Sequence, residues 1–286
     1  MPTVRANDIE VYYEEHGAGE PLLLIMGWGG NADTWKPQIP GLAEQYRVIA
    51  FDNRGVGRTS APDEPYSIPQ MAADTIGLLD ALNVGRAHVF GISMGGMVAQ
   101  ELALAHPERI GALVLGCTSP GSSQAAGSGK IQGEIAEFKE TAGDNGPDLE
   151  WFSEFLKRLW TDRALAQSDK SLQDFVLSLI RFPPGPHGLR NQGDAIANHD
   201  AYSRLPEIRL PTLVMTGERD SLIHPMNSII LAERIPRAEL RLYAGLKHAF
   251  HLEAAHHVNS TIVEFIERTG HSQNGARTAE SRESPR

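Results

Sequence analysis

The chain has almost no cysteine: one residue, Cys117, in 286. No intrachain disulfide can form, which excludes a disulfide-stapled fold and permits a reducing compartment. Long apolar runs are also missing. No stretch approaches the roughly 20 residues that a membrane-spanning helix needs. The opening Met1-Pro-Thr-Val-Arg-Ala-Asn-Asp8 lacks the charged-then-apolar order of an export signal. There is no surplus of positive charge either: 26 Lys and Arg stand against 36 Asp and Glu, a net −10. Nucleic acids and anionic membranes bind basic faces, so both are disfavoured as partners. The expectation is a soluble, cytoplasmic protein, monomeric or homodimeric, whose partner is a small molecule. With 41% hydrophobic and 22% charged residues, a chain of this length can bury a full core.

What is present is an alternation of apolar runs and helical patterns. Residues 3–6 and 9–14 are β-type runs separated by Asn7-Asp8, a good hairpin turn. Pro21–Met26, Arg47–Phe51, the run ending at Val89-Phe90, Gly111–Leu115, Leu210–Thr216 and Glu239–Tyr243 are more continuous, as strands buried on both faces are. Helical spacing is read over Thr34–Tyr46 after Pro37, Pro69–Leu82, the segment from Ser93 to His106-Pro107, Met226–Ile235 and Val258–Arg268. This order predicts an α/β class fold with a doubly wound, mostly parallel, eight-stranded sheet.

The alternation breaks once. Ser119–Gly129 has linker composition, and residues 130–204 show helical patterns without a clear strand. A helical lid over 119–205 is therefore expected between core segments 1–118 and 206–269. Its aromatic residues serve mostly for packing, and part of them could wall a substrate cavity; Trp151 and Trp160 are the candidates. Residues 270–286 are polar, lack periodicity and read as a disordered tail.

The chemistry centres on Gly91-Ile-Ser93-Met-Gly95, a G-x-S-x-G pentapeptide between a strand and a helix. On its own it could be a glycine-rich turn. In this context Ser93 sits on a sharp turn, with the following helix directing N–H groups and positive potential toward it. A serine hydroxyl needs a base, and the base needs a carboxylate to orient it. Reactive loops in such sheets lie at the carboxyl ends of strands. Those ends offer Asp220, with Glu218 as its rival, and His248, with His251, His256 and His257 as rivals. The loop after Leu115, Gly116-Cys-Thr-Ser-Pro120, holds no carboxylate. Two N–H donors are needed for an oxyanion, and Met94 and Trp28 are placed to supply them. Two other readings lack support. Gly55-Val-Gly-Arg-Thr-Ser60 departs from the phosphate-loop pattern, and the histidines lack H-E-x-x-H spacing, so neither a nucleotide, another cofactor nor a metal is expected.

Across about residues 1–269 the chain resembles the α/β-hydrolase superfamily, with the carboxylesterases and the 3-oxoadipate enol-lactonase-like branch the most similar groups. The motifs are Gly91–Gly96, Phe51–Ser60, Thr216-Gly-Glu-Arg-Asp220 and Gly245-Leu-Lys-His248. The resemblance implies an α/β-hydrolase fold and a Ser93–His248–Asp220 triad with Trp28 and Met94 amides as the oxyanion hole. Trp28 would also project at the mouth of the substrate site. The implied activity is carboxylic-ester hydrolysis through an acyl-enzyme. Alternatives are a lactonase, a C–C hydrolase of ring-cleavage products, a cofactor-free perhydrolase and, in another class, a non-catalytic small-molecule-binding module. One departure stands out: the family's usual His-Gly before the oxyanion donor is Met26-Gly27 here, which leaves the support of that loop open.

Overall fold

The structure is a computed structural model and describes residues 2–121, 124–141, 149–185 and 187–280. Among them are eight strands: β1 (Thr3–Ala6), β2 (Ile9–His16), β3 (Glu20–Ile25), β4 (Tyr46–Phe51), β5 (Ala87–Ile92), β6 (Ile110–Gly116), β7 (Thr212–Gly217) and β8 (Ala238–Tyr243). They form one sheet in the order β1-β2-β4-β3-β5-β6-β7-β8. Only the β1–β2 and β2–β4 pairings are antiparallel. The expected doubly wound architecture is therefore what forms, the α/β-hydrolase arrangement. All six parallel strands end on one edge of the sheet, and that edge carries the loops discussed below.

The sheet is covered on both faces because its strands alternate within apolar runs. In β3, Leu23 and Ile25 join one buried cluster and Leu22 and Leu24 the other. The first cluster lies under α2 (Ile68–Ala81), α3 (Met94–Ala105) and α9 (Met226–Arg234); the second lies under α1 (Ile39–Leu42) and α11 (Ala255–Glu280). Local chemistry sets the ends. Ser67 accepts from the Gln70 N–H at the start of α2, with Pro69 in its first turn. His106-Pro107 closes α3. Between β6 and β7 stand α4 (Ser128–Thr141), α5 (Leu149–Leu159), α6 (Asp162–Ala166), α7 (Lys170–Arg181) and α8 (Gly188–Ala197), a helical insertion between two sheet strands. The short α10 (Phe250–Glu253) precedes α11.

Three expectations need adjusting. The helix read over Thr34–Tyr46 is a 3-10 turn at Ala32–Trp35 and then the single turn of α1, which starts after Pro37 and holds Pro40 in its first turn and Gly41 within it. The linker composition at 119–129 gives way to α4 at Ser128, and residues 122–123 lie outside the described residues. The last helix begins at Ala255 and continues into the stretch read as a tail, as far as Glu280; residues 281–286 lie outside the described residues. No helix among the described residues is long and apolar enough to cross a membrane.

Candidate active site

Ser93 follows the last residue of β5 and precedes the first of α3, with φ 54° and ψ −119°. A side chain other than glycine's is rarely held there, and the structure must pin it. Its N–H donates to Gly116 O at 2.9 Å, and its carbonyl accepts from Thr118 Oγ1 at 2.7 Å. Bulk is removed around it. A Cβ on Gly95 would overlap the Ile25 carbonyl, and one on Gly27 would come 3.0 Å from Ser93 Cβ. The bare positions let the loop after β3 lie directly against the serine.

His248 and Asp220 meet from two further loops. Asp220 Oδ2 lies 2.7 Å from His248 Nδ1, and Oδ1 accepts from the N–H groups of Leu222 and Ile223, each at 2.9 Å. Both side chains are buried. The loops are tied by Glu218 N–H to Tyr243 O and Arg219 N–H to Leu246 O. Burial works against the charged form of His248, but the Asp220 carboxylate and the Cys117 sulfur together outweigh it and hold the imidazole well above its ordinary pKa. Among the rivals, Glu218 is exposed, and so are His256 and His257. His251 is buried in the same cavity, where burial and then the charge of His248 push it down to about 3, so it stays neutral. The histidines 248, 251 and 256 do not assemble as a donor cluster among the described residues.

Ser93 and His248 line one cavity of about 60 Å³, walled also by Trp28, Met94, Trp160 and Phe155. No hydrogen bond joins Ser93 Oγ to His248 among the described residues; the neighbour of His248 Nε2 is Cys117 Sγ at 3.8 Å. The Met94 N–H heads α3, where a helix leaves its first donors unpaired. No described residue accepts from the Trp28 backbone N–H. Trp151 stands apart from the serine. It lines a neighbouring apolar cavity of about 130 Å³ that shares Trp28, Phe155 and Phe175 with the first. There it stacks on Phe155 at 5.0 Å and meets Trp28 edge-on at 6.5 Å.

A model of the α/β hydrolase fold family matches residues 20–255. The chain belongs to the α/β-hydrolase family. It is 35% identical over 250 residues to the protein named carbamate hydrolase RutD in Azorhizobium caulinodans, spanning 87% of this chain and 92% of that one. The enol-lactonase of Burkholderia xenovorans LB400 superposes with a TM-score of 0.82 at 26% identity, over 93% of this chain and 100% of its own. The meta-cleavage product hydrolase of Pseudomonas fluorescens IP01 gives 0.77 at 25% identity, over 94% and 98%.

The departure at Met26-Gly27 now has its structural answer. Asn53 Nδ2 donates to Met26 O at 2.9 Å, and the buried Gln192 of α8 accepts from Gly29 N–H at 3.0 Å while donating to Arg54 O at 2.8 Å. Trp28 Nε1 donates to Leu189 O, also on α8, at 2.8 Å. Support for the loop after β3 thus comes from the helical insertion. Gly55–Ser60, weighed above against a phosphate loop, serves the fold: Arg58 is saturated by Asp52 and Asp33. Thr118 and the contact made by Cys117 had no signal in the sequence beyond strand-end position, and Gln192 had none beyond the helical pattern of the insertion. Replacing Gln192 with Leu leaves the Gly29 N–H and the Arg54 carbonyl unpaired. A urea titration is expected to show a loss of about 1–3 kcal/mol; a loss under about 0.5 kcal/mol would mean that the bridge does not hold the loop.

Proposed function

We propose that the protein is a serine hydrolase that cleaves carboxylic esters through an acyl-enzyme. The observation that carries this reading is the buried Asp220–His248 pair and the strained Ser93 turn opening onto one apolar cavity. Ser93 Oγ attacks the carbonyl carbon while His248 Nε2 takes its proton. Asp220 keeps the other imidazole nitrogen protonated and stabilises the imidazolium. The Trp28 and Met94 N–H groups receive the oxyanion. Collapse expels the alcohol, which leaves with the proton from His248. Water then attacks the acyl-serine, with His248 again as base, and the acid departs. The hydrogen bond between Ser93 and His248 forms when substrate closes the site, as such bonds often tighten only in the complex. The helical insertion acts as a lid, and Trp28 and Trp160 contact the acyl or leaving group. The compact cavity suits short acyl chains.

The same attack on a carbonyl would open a lactone, and the enol-lactonase likeness favours that as the second reading.

Initial rates on p-nitrophenyl esters from acetyl to dodecanoyl test the proposal. The parent is expected to be active with an optimum at the short end, and S93A to lose about 10⁴-fold or more in kcat. A folded parent inert on every ester contradicts it. The pH profile gives a second test. His248 must be neutral to act as base, and its pKa is raised, so kcat/KM climbs with pH through a value above the ordinary 6.5. D220N removes the charge responsible; kcat falls about 10⁴-fold and the acid limb moves to lower pH. An unmoved limb would mean that Asp220 does not set the base.

A further inference from the structure

β8 is an edge of the sheet, and among the described residues only β7 pairs with it. The Thr212 N–H donates to Arg237 O at 3.1 Å and the Glu218 N–H to Tyr243 O at 3.0 Å. The odd-numbered residues from Arg237 to Tyr243 thus turn their backbone groups toward β7, and Ala238, Leu240 and Leu242 turn theirs outward. Such an edge is a template for another strand unless a proline or a bulge blunts it. β8 contains no proline, and its register with β7 is continuous. Its side chains alternate as well. Ala238 and Leu240 pack partly against the cluster under α9, and Leu242 is 48% exposed. Glu239 and Arg241 line an open groove of about 920 Å³ between β8 and α11. From Leu240 the strand reads charge then apolar residue in both directions: Arg241 and Leu242 one way, Glu239 and Ala238 the other.

We propose that β8 docks on β8 of a second copy of this chain, antiparallel about a two-fold axis at Leu240, so that one sheet runs through both copies. A two-fold contact must be self-complementary, and this strand is. Each Leu240 exchanges backbone hydrogen bonds with the second copy's Leu240, and each Leu242 N–H donates to the second copy's Ala238 carbonyl. Glu239 of either copy falls directly opposite Arg241 of the other. These are positions without backbone hydrogen bonds, where Cα atoms stand about 4.5 Å apart and side chains approach most closely. Arg241 is exposed and has no ion pair among the described residues, whereas Glu239 is already positioned by Arg268 at 2.7 Å. The groove leaves room over Glu239 for the incoming guanidinium. On the other face, the exposed Leu242 is covered by the second copy's Ala238. Charge also selects the register. Centring the pair on Glu239 or on Arg241 sets like charges face to face. Centring it on Ala238 requires an N–H that already donates to Ile235 O at 3.1 Å. The contact is independent of the ester reading.

Analytical ultracentrifugation of the full chain tests this. The parent is expected to sediment as a dimer at tens of micromolar, with slow amide hydrogen exchange in the peptide spanning residues 238–243. R241E and E239R each set like charges opposite one another. Each is expected to raise the dissociation constant of the dimer at least about tenfold and to speed exchange in that peptide, with the circular dichroism of the parent. Mixed in equal amounts, the two variants bring an acidic β8 against a basic one and are expected to sediment as a heterodimer. Misfolding of either variant cannot produce that recovery. A monomeric parent at this concentration, a dimer that neither variant weakens, or a mixture that stays monomeric overturns the proposal.

Discussion

Everything at the edge of this sheet depends on one residue held in a conformation it would not choose. Ser93 adopts a left-handed backbone between β5 and α3, and the fold supplies what keeps it there. Gly116 takes its N–H, Thr118 donates to its carbonyl, and Gly95 presses against β3 where no side chain would fit. The turn exposes the hydroxyl to the cavity and points the first amides of α3 in the same direction. If the turn relaxed, the loop after β3 would lose the surface on which it rests.

The helical insertion contributes to the core, with Ile135, Ala195 and Ile196 in its main buried cluster. Gln192 and Leu189, both on α8, hold Gly29 and the Trp28 indole, so the loop after β3 is fastened to the insertion. The Ala249 N–H donates to Leu159 O at the end of α5, which fastens the His248 loop to the same layer. Two histidines three residues apart show how far local surroundings decide chemistry. Both are buried. His248 has a carboxylate at 2.7 Å and is held above its ordinary range, whereas His251 has none and is pushed down to about 3. One is suited to accept a proton; the other stays neutral.

Most of the fold was legible because apolar runs and turns are local signals. The eight strands lie where the runs predicted, within a few residues, and Ser93, Asp220 and His248 follow strand ends, as their motifs required. The helix read over Thr34–Tyr46 shrinks to one turn, α1, half of which is Pro40 and Gly41, residues that do not propagate a helix. What could not be read was contact across long separations. Gln192 and Gly29 are 163 residues apart, and Cys117 and His248 are 131 apart. Cys117 was noticed only as a lone cysteine, since its meaning comes from the ring beside it. Trp151 has the same helical signal as Trp160, yet packing of the insertion sets it in the neighbouring cavity.

The central claim is that Ser93 is a nucleophile activated by the His248–Asp220 pair. The most direct measurement is mass spectrometry of the folded protein after brief treatment with phenylmethylsulfonyl fluoride, a reagent that sulfonylates activated serines. The account predicts one adduct per chain, carried by the peptide containing Ser93, and little or none in H248A under the same conditions. No adduct on the folded parent, an adduct on another residue, or equal labelling of H248A would contradict it.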